Sequence, residues 1–110
     1  ELRVYCFKNK DAWRLHEMLC FDLGKDIPPD SWRYAPLYEL HTDLTPQEFA
    51  KRCNNEPDAE TLHVAVHRHY VVEIDDGLRP AFFYKTEHGY ELAPSFDAAA
   101  ARKNKREDTD

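Results

Sequence analysis

The chain has 110 residues, 42% of them hydrophobic and 13% aromatic, and its formal net charge is −6. This length fits one domain with one core, and the apolar content argues against a disordered chain. The negative charge disfavours direct binding to nucleic acid, and no apolar run reaches the roughly 20 residues of a membrane-spanning helix. We therefore expect a single folded domain that binds neither nucleic acid nor a membrane.

The cysteines indicate a reducing compartment. Cys6, Cys20 and Cys53 are too widely spaced for a CxxC metal or redox motif, and each has apolar neighbours. The first residues lack the basic and apolar regions of a secretory signal. These features predict three buried, reduced thiols in a cytoplasmic protein.

The first predicted elements are a strand and a helix. Alternation over residues 2–7 predicts a strand that is apolar on both faces, as is typical of a central strand. Apolar residues recur at three- and four-residue steps over residues 9–23, which predicts a helix whose buried stripe includes Leu15 and Met18. Asn9 or Asp11 is suited to cap its start, and Gly24 to end it.

The loop over residues 25–36 contains three prolines, which disfavour regular structure there. Trp32 and Tyr34 lie in this loop. Either the two aromatic side chains pin the loop to the core, or they form a contact surface, and the sequence leaves both interpretations open. A short strand is predicted next, over residues 37–41.

The clearest local signal is the start of a second helix. Thr45 is a suitable N-cap, Pro46 fits the first helical position, and Glu48 completes a capping box. Leu44 and Phe49 occupy the two positions of a hydrophobic staple. A helix that begins at Pro46 is therefore predicted.

The second half of the chain has a β pattern with hairpin turns at Gly77 and Gly89. Strands are predicted over residues 61–67, 70–74, 81–85 and 90–92. We expect residues 1–96 to form one two-layer α+β domain, an antiparallel sheet of about five strands with the two helices packed on one face. Residues 97–110 would form a short helix, capped by Asp97, or a disordered charged tail.

Three histidines suggest a metal site. His63, His67 and His69 share one face of the predicted strand if it runs straight, and a His-x-His pair can bind a metal ion. With the carboxylates of residues 73–76, they would suit a small metal-dependent hydrolase or nuclease. A half-exposed antiparallel sheet gives the same pattern without a metal.

Other catalytic motifs are missing from the sequence. Ser31 and Ser95 are the two serines, and neither lies in a GxSxG motif. Three glycines do not form any phosphate-binding loop. We therefore assign no catalytic residue and expect no cofactor.

The leading hypothesis is a non-catalytic protein-binding module. It would act as an inhibitor or regulator that occludes a basic partner, such as a nucleic-acid-binding protein, through an acidic surface bearing aromatic side chains. The residues assigned to this surface are Trp32, Tyr34, Glu73, Asp75 and Asp76. The metal-dependent hydrolase or nuclease is the alternative.

Overall fold

The computed structural model describes residues 1–55 and 66–107, apart from the side chains of residues 53–55. The elements in chain order are β1 (Leu2–Phe7), α1 (Lys10–Leu23), a 3-10 helix (Ser31–Arg33), β2 (Tyr34–Leu40), α2 (Pro46–Asn55), β3 (Val71–Asp75), β4 (Pro80–Thr86), β5 (Gly89–Leu92) and α3 (Ala98–Arg102). The predicted strand over residues 61–67 falls mostly outside the described residues. None of the helices described is long and apolar enough to span a membrane.

The strands form one antiparallel sheet in the order β2-β1-β3-β4-β5. The predicted α+β fold with a five-stranded antiparallel sheet is confirmed. β1 has neighbours on both sides, in agreement with its two apolar faces. β2 begins at Tyr34, inside the segment expected to be irregular. Pro36 is tolerated there because β2 is an edge strand.

The two faces of the sheet are covered by different helices. Tyr5 of β1 packs in a cluster with Ala12 of α1 and Ala101 of α3, on what we call the α1 face. Val4 of β1 packs in a second cluster with Phe49 of α2, on the α2 face. The sequence had placed both predicted helices on one face. They lie on opposite faces because the central strands are apolar on both sides, and each side needs a cover.

Both long helices begin where the sequence predicted. The Asn9 side chain accepts a hydrogen bond from the Ala12 amide at 2.8 Å and caps α1. The Thr45 hydroxyl accepts one from the Glu48 amide at 3.2 Å and caps α2. α2 then buries Phe49 completely against the sheet.

α3 is an integral part of the domain. The Asp97 side chain caps it by accepting a hydrogen bond from the Ala100 amide, and both Ala100 and Ala101 are buried. The Asp97 amide in turn donates to the Ser31 hydroxyl at 2.6 Å. The short helix expected after residue 96 therefore forms, and it packs on the same core as the preceding residues.

The chain after α3 is also attached to the domain. Asn104 donates hydrogen bonds from its side chain to the backbone carbonyls of Trp32 and Tyr34, at 3.1 and 2.9 Å. The Glu107 amide donates to the Lys8 carbonyl at 2.8 Å. Asn104 and Glu107 thus have defined partners on the domain, although the sequence suggested a disordered charged tail.

The thiols of Cys6 and Cys20 are buried and free, as expected. The side chain of Cys53 lies outside the described part of the chain.

Candidate functional site

His69 is the one non-glycine residue with a positive φ among the described residues. It is fully buried in the turn before β3, with a φ of 72° in the left-handed region. Its amide donates to the Lys85 carbonyl and its carbonyl accepts from the Tyr34 hydroxyl, each at 2.7 Å. Such a conformation is unfavourable for a residue other than glycine and persists where surrounding contacts enforce it. The fold therefore holds the His69 ring in one place.

Two carboxylates enclose the His69 ring. Nδ1 lies 2.6 Å from Oε1 of Glu17 on α1, and Nε2 lies 2.6 Å from Oδ1 of Asp26 in the following loop. A neutral imidazole has one N–H, so the imidazolium is the form that donates to both carboxylates at once. Burial raises the pKa of Asp26, but the hydrogen bond from His69 and the nearby Arg68 outweigh this effect and lower it.

His16, on the buried side of α1, lies edge-on to the His69 ring with the ring centroids 4.8 Å apart. Its Nε2 lies 2.5 Å from the Tyr84 hydroxyl oxygen, whereas its buried Nδ1 has no hydrogen-bond partner. Burial and the adjacent His69 lower the pKa of His16 to about 4. His16 is therefore neutral at pH 7.

Cys20 follows His16 by one helical turn and lies on the same buried side of α1. Burial raises the pKa of its thiol, and the backbone N–H of Ile27 partly offsets this by hydrogen bonding to the sulfur. One donor atom each from His16, Cys20 and His69 lies within 4.8 Å of the others. We call these three residues, with Glu17 and Asp26, the histidine centre.

A cleft of about 490 Å³ adjoins the histidine centre. Glu17, Cys20 and Asp26 contribute to its wall, and Arg68 lies at its side. Arg68 is within 3.5 Å of Asp26 and 3.2 Å of Glu87. The centre is thus a buried polar group beside a solvent-accessible cleft.

The structure does not place the predicted histidine pair on one strand face. Residues 68–69 form a turn, so His69 points into the domain while His67 stays exposed beside Tyr70. The sequence contains no glycine or asparagine here to signal a left-handed residue. His63 lies outside the described residues.

Glu73 was assigned to the exposed acidic surface, but it is buried. Its carboxylate accepts hydrogen bonds from the Tyr5 hydroxyl at 2.6 Å, from Arg3 at 2.9 Å and from Arg102 at 3.0 Å. Glu73 lies on the α1 face of the inner strand β3, so it is enclosed by the domain. This carboxylate neither faces a partner nor remains available to a metal.

Asp75 and Asp76 stabilise the β3–β4 hairpin turn. Their carboxylates accept hydrogen bonds from the amides of Gly77 and Leu78, at 2.8 and 2.9 Å. The amides of Leu78 and Arg79, which both donate to Asp76, lower the pKa of that carboxyl. Asp76 is exposed and Asp75 partly exposed, so both still contribute negative charge at the surface.

The two loop aromatics have different environments. Tyr34 is completely buried and pins the segment to the core through its hydroxyl, so it is not part of a contact surface. Trp32 is 60% exposed on the 3-10 helix. Tyr34 therefore pins the loop to the core, whereas Trp32 leaves most of its side chain exposed.

α1 exposes a row of large apolar side chains. Leu15, Met18 and Phe21 are 40%, 55% and 86% exposed, and their three-residue spacing makes them neighbours on the helix surface. We call them the outward row. The sequence pattern had placed Leu15 and Met18 in the buried stripe of this helix. The buried side instead contains Ala12, His16 and Cys20.

Comparison of the chain with protein-family models, with curated proteins and with solved structures finds no match. Its function is accordingly inferred from the outward row, the histidine centre and the surface charge.

Proposed function

We propose that the protein is a non-catalytic protein-binding module, an inhibitor or regulator that occludes a basic partner through the outward row of α1. The observation that carries this proposal is the exposure of Leu15, Met18 and Phe21 as neighbours on one helix. A monomeric domain ordinarily places polar side chains there, and contiguous exposed apolar side chains are typical of interaction sites.

The chemistry of the outward row suits a contact surface. Burying a Leu, Met or Phe side chain against a partner contributes roughly 1.5–3 kcal/mol. Methionine also adapts to irregular surfaces, and aromatic side chains are frequent anchors of protein interfaces. Phe21 is the most exposed member of the row, so we expect it to be the main anchor.

The net charge of the chain favours a basic partner. Asp11 and Asp22 are exposed and each lies one helical turn from a member of the row, Leu15 and Met18 respectively. Arg14, which is 4.0 Å from Asp11, partly offsets them. The chain as a whole carries −6. Long-range attraction of a basic protein should therefore accelerate association and weaken as salt rises.

Trp32 is a second candidate anchor. Its backbone is held by the Asp30 cap and by the Asn104 side chain, while its indole ring is mostly exposed. An ordered, exposed tryptophan loses little conformational entropy on binding.

The metal-dependent hydrolase or nuclease has less support. Its carboxylate cluster needed Glu73, which is held by Tyr5, Arg3 and Arg102. This function would also need His67 and His69 on one strand face, whereas His69 is buried and His67 is exposed.

The test is affinity capture from the native cell with three baits, the natural chain, Phe21→Glu and Leu78→Glu. Leu78 is 93% exposed at the β3–β4 turn, so its variant adds the same charge away from α1. We expect a basic protein that is retained by the natural chain and Leu78→Glu, released by salt, and lost from Phe21→Glu. Equal retention by all three baits would contradict the proposal. So would sedimentation showing that the row instead joins two copies of this chain.

A further inference from the structure

We propose that His16, Cys20 and His69 bind one zinc ion, with Asp26 as the fourth ligand, in a structural site that fastens α1 to the turn before β3. None of these four ligands belongs to the outward row, although Phe21 of that row also lines the adjoining cleft. The site is not the His63, His67 and His69 set that the sequence suggested. It shares only His69 with that set.

The donor atoms are of the right kind and nearly in place. A tetrahedral zinc ion with Zn–N and Zn–S bonds of about 2.0 and 2.3 Å separates its donor atoms by roughly 3.5 Å. The three donor atoms lie within 4.8 Å of one another, so each pair must approach by up to about 1.3 Å. Two imidazoles, a thiolate and a carboxylate favour zinc over magnesium or calcium.

The unpartnered nitrogen of His16 is an independent indication of a ligand. A buried polar atom without a hydrogen bond is rare in folded proteins and destabilising. Nδ1 of His16 is such an atom, while Nε2 is engaged by the Tyr84 hydroxyl. A metal ion at Nδ1 would satisfy it, with Nε2–H donating to Tyr84.

His69 already has the surroundings of a zinc ligand. A metal-bound histidine usually donates its other N–H to a carboxylate, and Glu17 accepts from Nδ1 in this way. Asp26 faces Nε2 at 2.6 Å, which is closer than the roughly 3.5 Å between two zinc ligands, so its carboxylate would move away by about 1 Å to bind a zinc ion that replaces the Nε2 proton. Glu17 would then be a positioning residue and Asp26 a ligand.

The charge of the histidine centre also suits a cation. Glu17 and Asp26 bring two carboxylates to one buried imidazole, and a Cys20 thiolate would add a third negative charge. The divalent ion, together with Arg68 beside Asp26, would compensate these charges.

The test is a cobalt titration of the reduced, tag-free, chelator-treated protein, because cobalt takes tetrahedral zinc positions and its thiolate charge-transfer absorption reports a sulfur ligand. We expect this absorption to saturate at one equivalent and to be lost when zinc is added. Absence of the charge-transfer band in the natural chain at saturating cobalt would overturn the proposal.

Variants assign the ligands. Cys20→Ser should lose the charge-transfer band, whereas Cys6→Ser, which removes the other described buried thiol, should keep it. A band that survives Cys20→Ser would overturn the proposal.

Glu17→Gln tests the positioning role without removing a ligand, and Glu17 is partly exposed, so the variant should fold. It should bind zinc at least about tenfold more weakly, while Asp22→Asn on the same helix binds as the natural chain does. Equal zinc affinity of Glu17→Gln and the natural chain would contradict the arrangement.

Discussion

The Tyr34 hydroxyl donates a hydrogen bond of 2.7 Å to the backbone carbonyl of His69, and both residues are fully buried. This bond joins the start of β2 to the turn before β3, and it fixes a residue whose φ of 72° is unfavourable by itself. The position of the histidine centre therefore depends on a tyrosine 35 residues away in the sequence.

Removing that hydroxyl should destabilise the domain. Tyr34→Phe leaves the buried His69 carbonyl without its tyrosine donor, so we expect a loss of about 1–3 kcal/mol in the free energy of unfolding. Urea denaturation measures the difference. Tyr38→Phe is the control, since Tyr38 is exposed on the same strand and should change stability little. Equal effects of the two substitutions would show that the hydrogen bond does not carry this stability.

The N-cap of α2 should make a separable contribution. Thr45→Ala removes the hydroxyl that accepts from the Glu48 amide, at an expected cost of about 1 kcal/mol. Thr45→Ser keeps a capping hydroxyl and should retain most of the stability. If denaturant melts of Thr45→Ala and the natural chain coincide within a few tenths of a kcal/mol, the cap does not stabilise α2.

Elements with local signals were predictable from the sequence. Thr45 predicted the start of α2, and Asn9 was one of two candidate caps for α1, because the side chain of a cap accepts a hydrogen bond from the amide three residues later. The central position of β1 followed from its alternating apolar faces, and the hairpins from their glycines.

The histidine centre could not be predicted from the periodicity of apolar residues. His16 occupies a core position between Ala12 and Cys20 at four-residue steps, but a search for apolar residues on α1 passes over a histidine. The four-residue spacing of His16 from Ala12 and Cys20 was the signal in the sequence that could have identified it as a core residue. Glu73 appeared exposed because the groups that bury it, Arg3 and Arg102, are 70 and 29 residues away along the chain.

The segment after α3 should contribute to stability. A chain that ends at Arg102 loses the Asn104 hydrogen bonds to the segment of Trp32 and Tyr34, so we expect a lower melting temperature. A chain that ends at Glu107 keeps those bonds and the Glu107–Lys8 bond, so it should melt at a higher temperature than the chain that ends at Arg102. Calorimetry of the three chains measures this. An unchanged melting temperature for the chain ending at Arg102 would mean that these hydrogen bonds add nothing.

His16 should make stability depend on pH in the metal-free protein. Its pKa is about 4 in the folded chain, against 6.5 for an ordinary histidine, so the unfolded chain binds more protons between these values. The free energy of unfolding should therefore fall as pH decreases from about 6.5 to 4, by up to about 3 kcal/mol. The pKa of Asp26 is lowered, so the stability that this carboxylate contributes is lost only at more acidic pH.

His16→Gln tests the assignment of this pH dependence. Both chains are unfolded with urea in a chelator at several pH values. The variant should be less stable at pH 7 but show a flatter profile between pH 6.5 and 4. Parallel profiles for the two chains would assign the pH dependence to other groups.

The most direct test of the binding proposal is the dissociation constant of the captured partner for the natural chain, Phe21→Glu and Leu78→Glu, measured by calorimetry at low and physiological salt. We expect Phe21→Glu to bind at least about tenfold more weakly, a loss of 1.4 kcal/mol or more, and Leu78→Glu to bind as the natural chain does. Binding by the natural chain should also weaken as salt rises. If Phe21→Glu binds as tightly as the natural chain, or if Leu78→Glu loses as much affinity as Phe21→Glu, the outward row of α1 is not the binding surface.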